Sequence, residues 1–481
     1  MGRVTEPYTD IVVLLPGIMG SELAQRGRPV WAPGGGAALD AILTFGRSVQ
    51  DLTLPEGVGD GAPGENDQGG GVVATGLFPD IHVIPGLWSA NLGYGQMERR
   101  LADFFGLTRV RTDGPPGNYL PFPYDWRLSI RYNGRRLAQV VDDVVTRWRA
   151  QGGPYAEARV SFITHSTGGL IARWAIDREG AAAYTRRLVT LATPHRGSMM
   201  AVDRLVNGVE VGWWPLQVDL TPFVRSLPGL HHLLPEYACL EAASGLQTIG
   251  GVDLPNLDPA WVQDALALHR ELDQSGAPGA YDLFPLVGSQ QLTATTGRIV
   301  ADGVELISSI EGEEEAGDAT VPRLAATPSW LRPSDPIVHY ATDKHGAIPS
   351  NAQVLDDLQA ILSADDVPRP VPKLVAQAEP DVRVAEVAVA GEPLPVEVVI
   401  RQGPPVALEA LLRYENRDVV DRRPLTDQGS ALRAELLPTR EGLYTVRVEP
   451  ASTGSGLVSV VTSPLTIWGP GQGSRSRARG E

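Results

Sequence analysis

A chain of 481 residues exceeds one ordinary core, so two or three domains are expected. Apolar residues at 43% and charged residues at 20% fit a soluble globular protein. With 41 Lys and Arg against 57 Asp and Glu the formal charge is −16, and no basic cluster interrupts the body of the chain, which argues against a nucleic-acid partner and against docking on anionic lipid.

The first residues, M-G-R-V-T-E-P-Y-T-D, lack a basic flank followed by an apolar run, and Glu6 breaks the myristoylation pattern. No segment approaches the roughly 20 apolar residues of a membrane span, so no stable membrane insertion is expected. Cys239 is the single cysteine and allows no intrachain disulfide. Together these features lead to a cytoplasmic expectation.

I-V-V-L-L, residues 11 to 15, reads as a buried strand and runs into P-G-I-M-G-S. Residues from about 24 to 90 are glycine-rich and weakly periodic, which fits either a lid or a mobile insertion. A helix is predicted where Leu137, Val140, Val141, Val144, Val145 and Trp148 follow one apolar face, with Gly152, Gly153 and Pro154 ending it. A-R-V-S-F-I-T then reads as a strand leading to H-S-T-G-G. Leu170, Ile171, Trp174 and Ala175 mark another helix, and R-L-V-T-L-A a strand before T-P-H-R-G-S. This alternation predicts a doubly wound, mostly parallel sheet with crossover helices. Residues of about 197 to 280 read as a mostly helical cap. D-L-F-P-L-V-G-S resumes the strand pattern, and R-I-V-A-D-G-V-E-L-I reads as a hairpin around Asp302-Gly303.

The catalytic part is expected to span 1–364. Three prolines within 365–373 then make a stiff linker. Beyond it the period becomes two: Leu394, Val396, Val398 and Ile400 alternate, as do Val406, Leu408, Ala410, Leu412 and Tyr414, then Leu432, Ala434 and Leu436, then Tyr444, Val446 and Val448. That pattern predicts an all-β sandwich over 374–468, similar to an immunoglobulin-like domain. A tail at 469–481 has little to bury and is expected to be disordered.

The chemistry centres on T-H-S-T-G-G, 164 to 169. Ser166 is a candidate nucleophile if it sits on a sharp strand-to-helix turn; the plain alternative is a serine that caps the helix. The turn demands small residues two before and two after the serine. Gly168 meets this, while Thr164 is larger and β-branched. A serine nucleophile also needs a base, an orienting acid and oxyanion donors. The P-G-I-M-G turn offers the Ile18 amide and the elbow offers that of Thr167. Asp318 in G-D-A-T-V-P is the candidate acid, with Glu311, Glu313, Glu314 and Glu315 read as a solvated run. His345 in D-K-H-G is the candidate base, which makes the chain order Ser, Asp, His. His165 should point away from the serine hydroxyl, and His195 should brace a loop. His231 and His232 lack a ligand cluster, so no metal is expected.

These stretches, with P-Y-D-W-R at 123–127, resemble the lecithin:cholesterol acyltransferase-like branch of the α/β-hydrolases over roughly residues 9 to 362. The resemblance implies Ser166, Asp318 and His345 as the triad, with Ile18 and Thr167 at the oxyanion hole. It implies Trp31 at the start of the lid and beside an acyl chain. Asp125 and Arg127 fall on a buttressing pair rather than on reacting groups. The paired lid cysteines of secreted relatives are absent, Thr164 replaces a smaller residue, and the sandwich is not a general family feature. The expected activity is cofactor-free hydrolysis of lipid or other carboxylic esters. The alternatives are O-acyl transfer to an alcohol, a hydrolase-fold binding protein without turnover, and, more weakly supported, a peptidase or amidase. The sandwich is a candidate surface for a protein partner.

Overall fold

The computed structural model describes residues 8–32, 52–55, 69–79, 92–211, 218–364, 378–403, 405–415, 417–451 and 458–469. The proline-rich linker, the tail beyond 469 and much of the 24–90 stretch lie outside these residues. A six-stranded parallel sheet forms the centre. Its strands in chain order are β1 (Ile11–Leu15), β2 (Tyr119–Pro121), β3 (Val160–His165), β4 (Thr185–Leu191), β5 (Asp282–Gly288) and β6 (His339–Ala341), arranged β6-β5-β4-β3-β1-β2.

Every residue of β1 is inaccessible to water, which explains its unbroken apolar run: a parallel sheet is covered on both faces. Alternation divides its side chains. Ile11, Val13 and Leu15 join Phe162 and Leu188 in one core, beneath α2 (Ile130–Arg149) and α3 (Thr167–Arg178). Val12 and Leu14 join Ile163, Val189 and Phe284 on the other face, beneath α1 (Gly95–Phe105) and α4 (Ala352–Ser363). Helices on both faces of a parallel sheet make this the doubly wound α/β architecture that the sequence predicts. The helix predicted from Leu137 to Trp148 starts earlier, at Ile130, because Ser129 caps it by accepting from the Tyr132 N–H at 2.9 Å.

Two insertions differ from their expected form. Within the irregular 24–90 stretch, Arg28–Trp31 and Val72–Leu77 flank Ser21–Gln25 in a three-stranded antiparallel sheet. The cap carries helices such as Pro259–Asp273, but also strands: Leu240–Ala242 pairs with Gly245–Gln247 and with the hairpin strand Thr296–Val300.

The C-terminal part is two packed sheets. One has four strands, in the order β7 (Glu379–Val384), β9 (Leu394–Gln402), β13 (Leu432–Leu436), β12 (Thr426–Asp427). The other has five, in the order β8 (Val387–Val389), β15 (Val461–Trp468), β14 (Gly442–Pro450), β10 (Leu408–Tyr414), β11 (Asp418–Pro424). All pairs are antiparallel except β8 with β15. The alternating residues Leu394, Val396, Val398, Leu408, Ala410, Leu412, Val446 and Val448 fill one core between the sheets. Among the described residues no helix is long and apolar enough to cross a membrane.

Candidate active site

Strand β3 ends at His165 and α3 begins at Thr167, so Ser166 is the whole of the turn between them. Its backbone has φ 53° and ψ −128°, a conformation serine adopts only when its surroundings impose it. Three bonds do so. The Ser166 N–H donates to the Leu191 carbonyl at 2.9 Å, and its own carbonyl accepts from Thr193 Oγ1 at 2.9 Å and from the Gly169 N–H at 3.0 Å. The crowding explains the glycines. A Cβ on Gly168 would stand 2.5 Å from the Pro16 carbonyl oxygen, and one on Gly17 would stand 2.9 Å from Ser166 Cβ. Thr164 is accommodated because its hydroxyl leaves the turn and donates to the Val189 carbonyl at 3.1 Å.

Ser166 stands at the N-cap position of α3, yet its side chain caps nothing. Its Oγ instead lies 2.9 Å from His345 Nε2. His345 Nδ1 lies 2.7 Å from Asp318 Oδ2. Asp318 Oδ1 accepts from the Thr320 and Val321 N–H groups at 2.9 and 2.7 Å, and the His345 N–H donates to the Asp318 carbonyl at 2.9 Å. All three side chains are buried. With the carboxylate accepting from Nδ1–H, Nε2 is left as the acceptor for the serine proton.

The Pro16–Gly17–Ile18 turn follows β1 and lies against Ser166 and Gly168. Thr167, as the first helical residue, has an N–H without an intrahelical partner, and the Ile18 N–H has no partner among the described residues. Both amides therefore remain as donors beside the serine.

A second chain of bonds joins this turn to the histidine. The Gly17 N–H donates to the Tyr94 hydroxyl at 2.8 Å, and that hydroxyl lies 2.8 Å from His165 Nδ1. His165 Nε2 lies 3.2 Å from the His345 carbonyl. A carbonyl only accepts, so Nε2 carries the proton and Nδ1 of the neutral ring accepts from Tyr94. His165 thus spends its two ring nitrogens on Tyr94 and on the backbone of His345. The sequence reading did not find Tyr94: it lies 71 residues from His165, outside any motif.

Asp125 and Arg127 form a buried two-pronged pair, with Nε to Oδ1 at 2.9 Å and Nη2 to Oδ2 at 2.7 Å. Arg127 also donates to the Leu52 and Gly69 carbonyls at 3.2 and 2.7 Å. Trp31 is buried, donates to the Met19 carbonyl at 3.1 Å and packs edge-on against Trp126 at 5.0 Å. His195 meets Thr190 Oγ1 at 3.1 Å, and burial pushes its pKa well below the usual value. His232 Nε2 pairs with Asp264 at 2.8 Å. Among the described residues no group of His, Cys, Asp and Glu is arranged to hold a metal ion. Glu311, Glu313 and Glu314 are exposed, as a solvated run should be, and Glu314 and Glu315 also each meet a cation, Arg401 and Arg323.

Residues 128–218 match the family model "Putative serine esterase (DUF676)", a stretch that holds Ser166 but neither Asp318 nor His345. No curated protein matches the chain. Among solved structures, "The crystal structure of Tle4-Tli4 complex" is similar at 15% identity and a TM-score of 0.48, over 75% of this chain and 100% of that one. A Bacillus licheniformis lipase, BlEst2, in its mature form is similar at 12% identity and a TM-score of 0.33, over 76% of this chain and 96% of that one. At these scores neither likeness bears on what this chain does.

Proposed function

We propose that the chain is a serine hydrolase that cleaves carboxylic esters through an acyl-enzyme. The observation that carries this reading is the buried row from Ser166 Oγ to His345 Nε2 to Asp318, at 2.9 and 2.7 Å, with the serine held on a strained turn. His345 takes the serine proton as Oγ attacks the ester carbonyl. The Ile18 and Thr167 amides donate to the oxyanion, where charge develops. Asp318 keeps Nδ1 protonated and stabilises the imidazolium. The alkoxide leaves with the proton held by His345. Water then gives a proton to His345 and attacks the acyl-enzyme, which restores the serine and releases the acid.

Trp31, Phe78, Trp126 and Phe223 pack edge-to-face in the buried core near the Met19 end of the oxyanion turn; a lipid-like ester, with Trp31 beside its acyl chain, is what the family resemblance implies. The turn after β1, P-Y-D-W-R, the serine elbow and the acid and base loops, in that order, support a reading close to the lecithin:cholesterol acyltransferase-like branch. Asp125 and Arg127 serve as a buttress, since both charges are spent on each other and on main-chain carbonyls.

A fluorophosphonate probe tests the reading. The native chain is expected to label and to hydrolyse p-nitrophenyl esters. Ser166→Ala is expected to lose the label and at least about 10⁴-fold in kcat. A folded native chain that takes no label would instead be a hydrolase-fold binding protein. Turnover of esters in the presence of an added alcohol, read by mass spectrometry, separates hydrolysis from acyl transfer.

A further inference from the structure

We infer that the C-terminal sandwich is part of the reaction apparatus: strand β15 holds the loop that carries His345, and Asp343 is a positioning residue for the chemistry proposed above, on which this inference rests. The argument begins at a sheet edge. β8 covers only Thr466 to Trp468 of β15, which leaves the first residues of that strand with outward N–H and C=O groups. The hydrolase part fills them. The Thr462 N–H donates to Asp343 Oδ1 at 2.5 Å, and the Thr462 carbonyl accepts from the Lys344 N–H at 3.4 Å. Thr342 Oγ1 donates to the Val460 carbonyl at 2.8 Å. The three residues just before His345 are thereby seated on the sandwich.

Asp343 ties both ends of the histidine turn. Its second oxygen accepts from Asn351 Nδ2 at 2.6 Å, and Asn351 in turn caps α4 by accepting from the Val354 N–H at 2.9 Å. The turn between them, His345–Ser350, is therefore closed by one carboxylate that the sandwich also grips. Burial pushes the Asp343 carboxyl up, and the bonds from Asn351 and Thr462 oppose that shift. A buried carboxylate is a poor device for stability alone.

The acid's turn has the same anchor. Gln291 is buried and forms a backbone bridge with Asp318. Its side chain donates to the Thr342 carbonyl at 3.0 Å and to the Pro380 carbonyl of β7 at 3.3 Å, and it accepts from the Val382 N–H at 3.2 Å. The Leu292 N–H donates to Asp381 Oδ1 at 3.1 Å. Two loops that must meet at 2.7 Å thus share a fixed reference in the other domain. Loops left unbraced wander, and about 1 Å of misplacement costs on the order of 100-fold in rate.

Two variants approach the contact from opposite sides. Asp343→Ala removes the carboxylate. Thr462→Pro removes one N–H that points away from β14, so the strand's own ladder is kept. Rates on a soluble p-nitrophenyl ester are taken per folded molecule, with the folded fraction read from circular dichroism. Both variants are expected to lose roughly 10- to 100-fold in kcat with KM nearly unchanged, and fluorophosphonate labelling should slow in parallel. A contact that served stability alone would move the melting temperature and leave kcat per folded molecule where it was. Unchanged kcat in either folded variant, or a loss carried wholly by KM, overturns the inference. Ser166→Ala runs beside them. If it still turns over ester, the triad reading falls and takes this one with it; if it is dead while both contact variants are as fast as the native chain, only this inference falls.

Discussion

Tyr94 is one hydroxyl with two duties. It accepts from the Gly17 N–H and meets His165, whose far nitrogen bonds the His345 carbonyl. The chain of bonds couples the proposed oxyanion turn to the proposed base without touching substrate. Tyr94→Phe keeps the ring and removes the link. It leaves the buried Gly17 N–H without its acceptor, which costs about 1–3 kcal/mol. The expected result is a lower urea midpoint together with a fall in kcat, measured on the same preparation; an unchanged kcat would mean that the turn holds its shape unaided. Ser166, Asp318 and His345 were legible in the sequence because each sits among local markers, a glycine pair or a proline, that a sharp turn requires. Tyr94 was not legible. Its importance comes from a partner brought near by folding, and no spacing rule announces that. Thr164 looked like a misfit for a similar reason: the carbonyl that receives its hydroxyl belongs to the neighbouring strand.

Among the elements, the stretch from 24 to 90 behaves least as its composition implies. Its glycines and weak periodicity conceal strands because the partners, Ser21–Gln25 and Val72–Leu77, lie far apart in the chain, and strand pairing across such a gap leaves no local period. The cap hides its strands for the same reason, whereas α2 and the alternating strands of the sandwich declare themselves within a few residues. Arg127 fastens this insertion to the sheet through the Leu52 and Gly69 carbonyls. Breaking a buried ion pair by removing one partner strands the other charge, so Arg127→Met is expected to cost about 3–5 kcal/mol. Adding Asp125→Leu removes the stranded charge and should return part of that loss. Chemical denaturation of the single and double variants measures both. Limited proteolysis of Arg127→Met should cut first near Leu52 or Gly69, because those carbonyls have lost their donor.

For the whole molecule, cores of the sheet and of the sandwich are joined by polar hubs, and this joint was invisible in the sequence. The bonds that make it span 89 residues at Gln291 and 119 at Asp343, and each hub is a single polar residue, one on a two-residue strand and one in a loop. The cap adds a dependence on pH that involves the entire fold. Burial pushes His231 and His269 down to about 4 and His195 well below its usual value. In the unfolded chain His231 and His269 take a proton near 6.5, while in the folded chain they refuse one until about 4. The unfolded state therefore binds more protons between these values. Stability is full above 6.5 and falls as the pH drops toward 4. Asp177 and Glu236, raised by burial, act in the opposite sense as they take protons, so a single-site comparison is the clean measurement. His269 Nε2 donates to the Leu234 carbonyl at 3.1 Å, a bond that a glutamine amide can replace without titrating. His269→Gln should match the native chain near pH 8. Between pH 6.5 and 4 the native chain should lose up to about 3 kcal/mol more than the variant, read from denaturation curves at each pH. Parallel curves for the two proteins across that range would mean that His269 takes its proton in the folded state as easily as in the unfolded one.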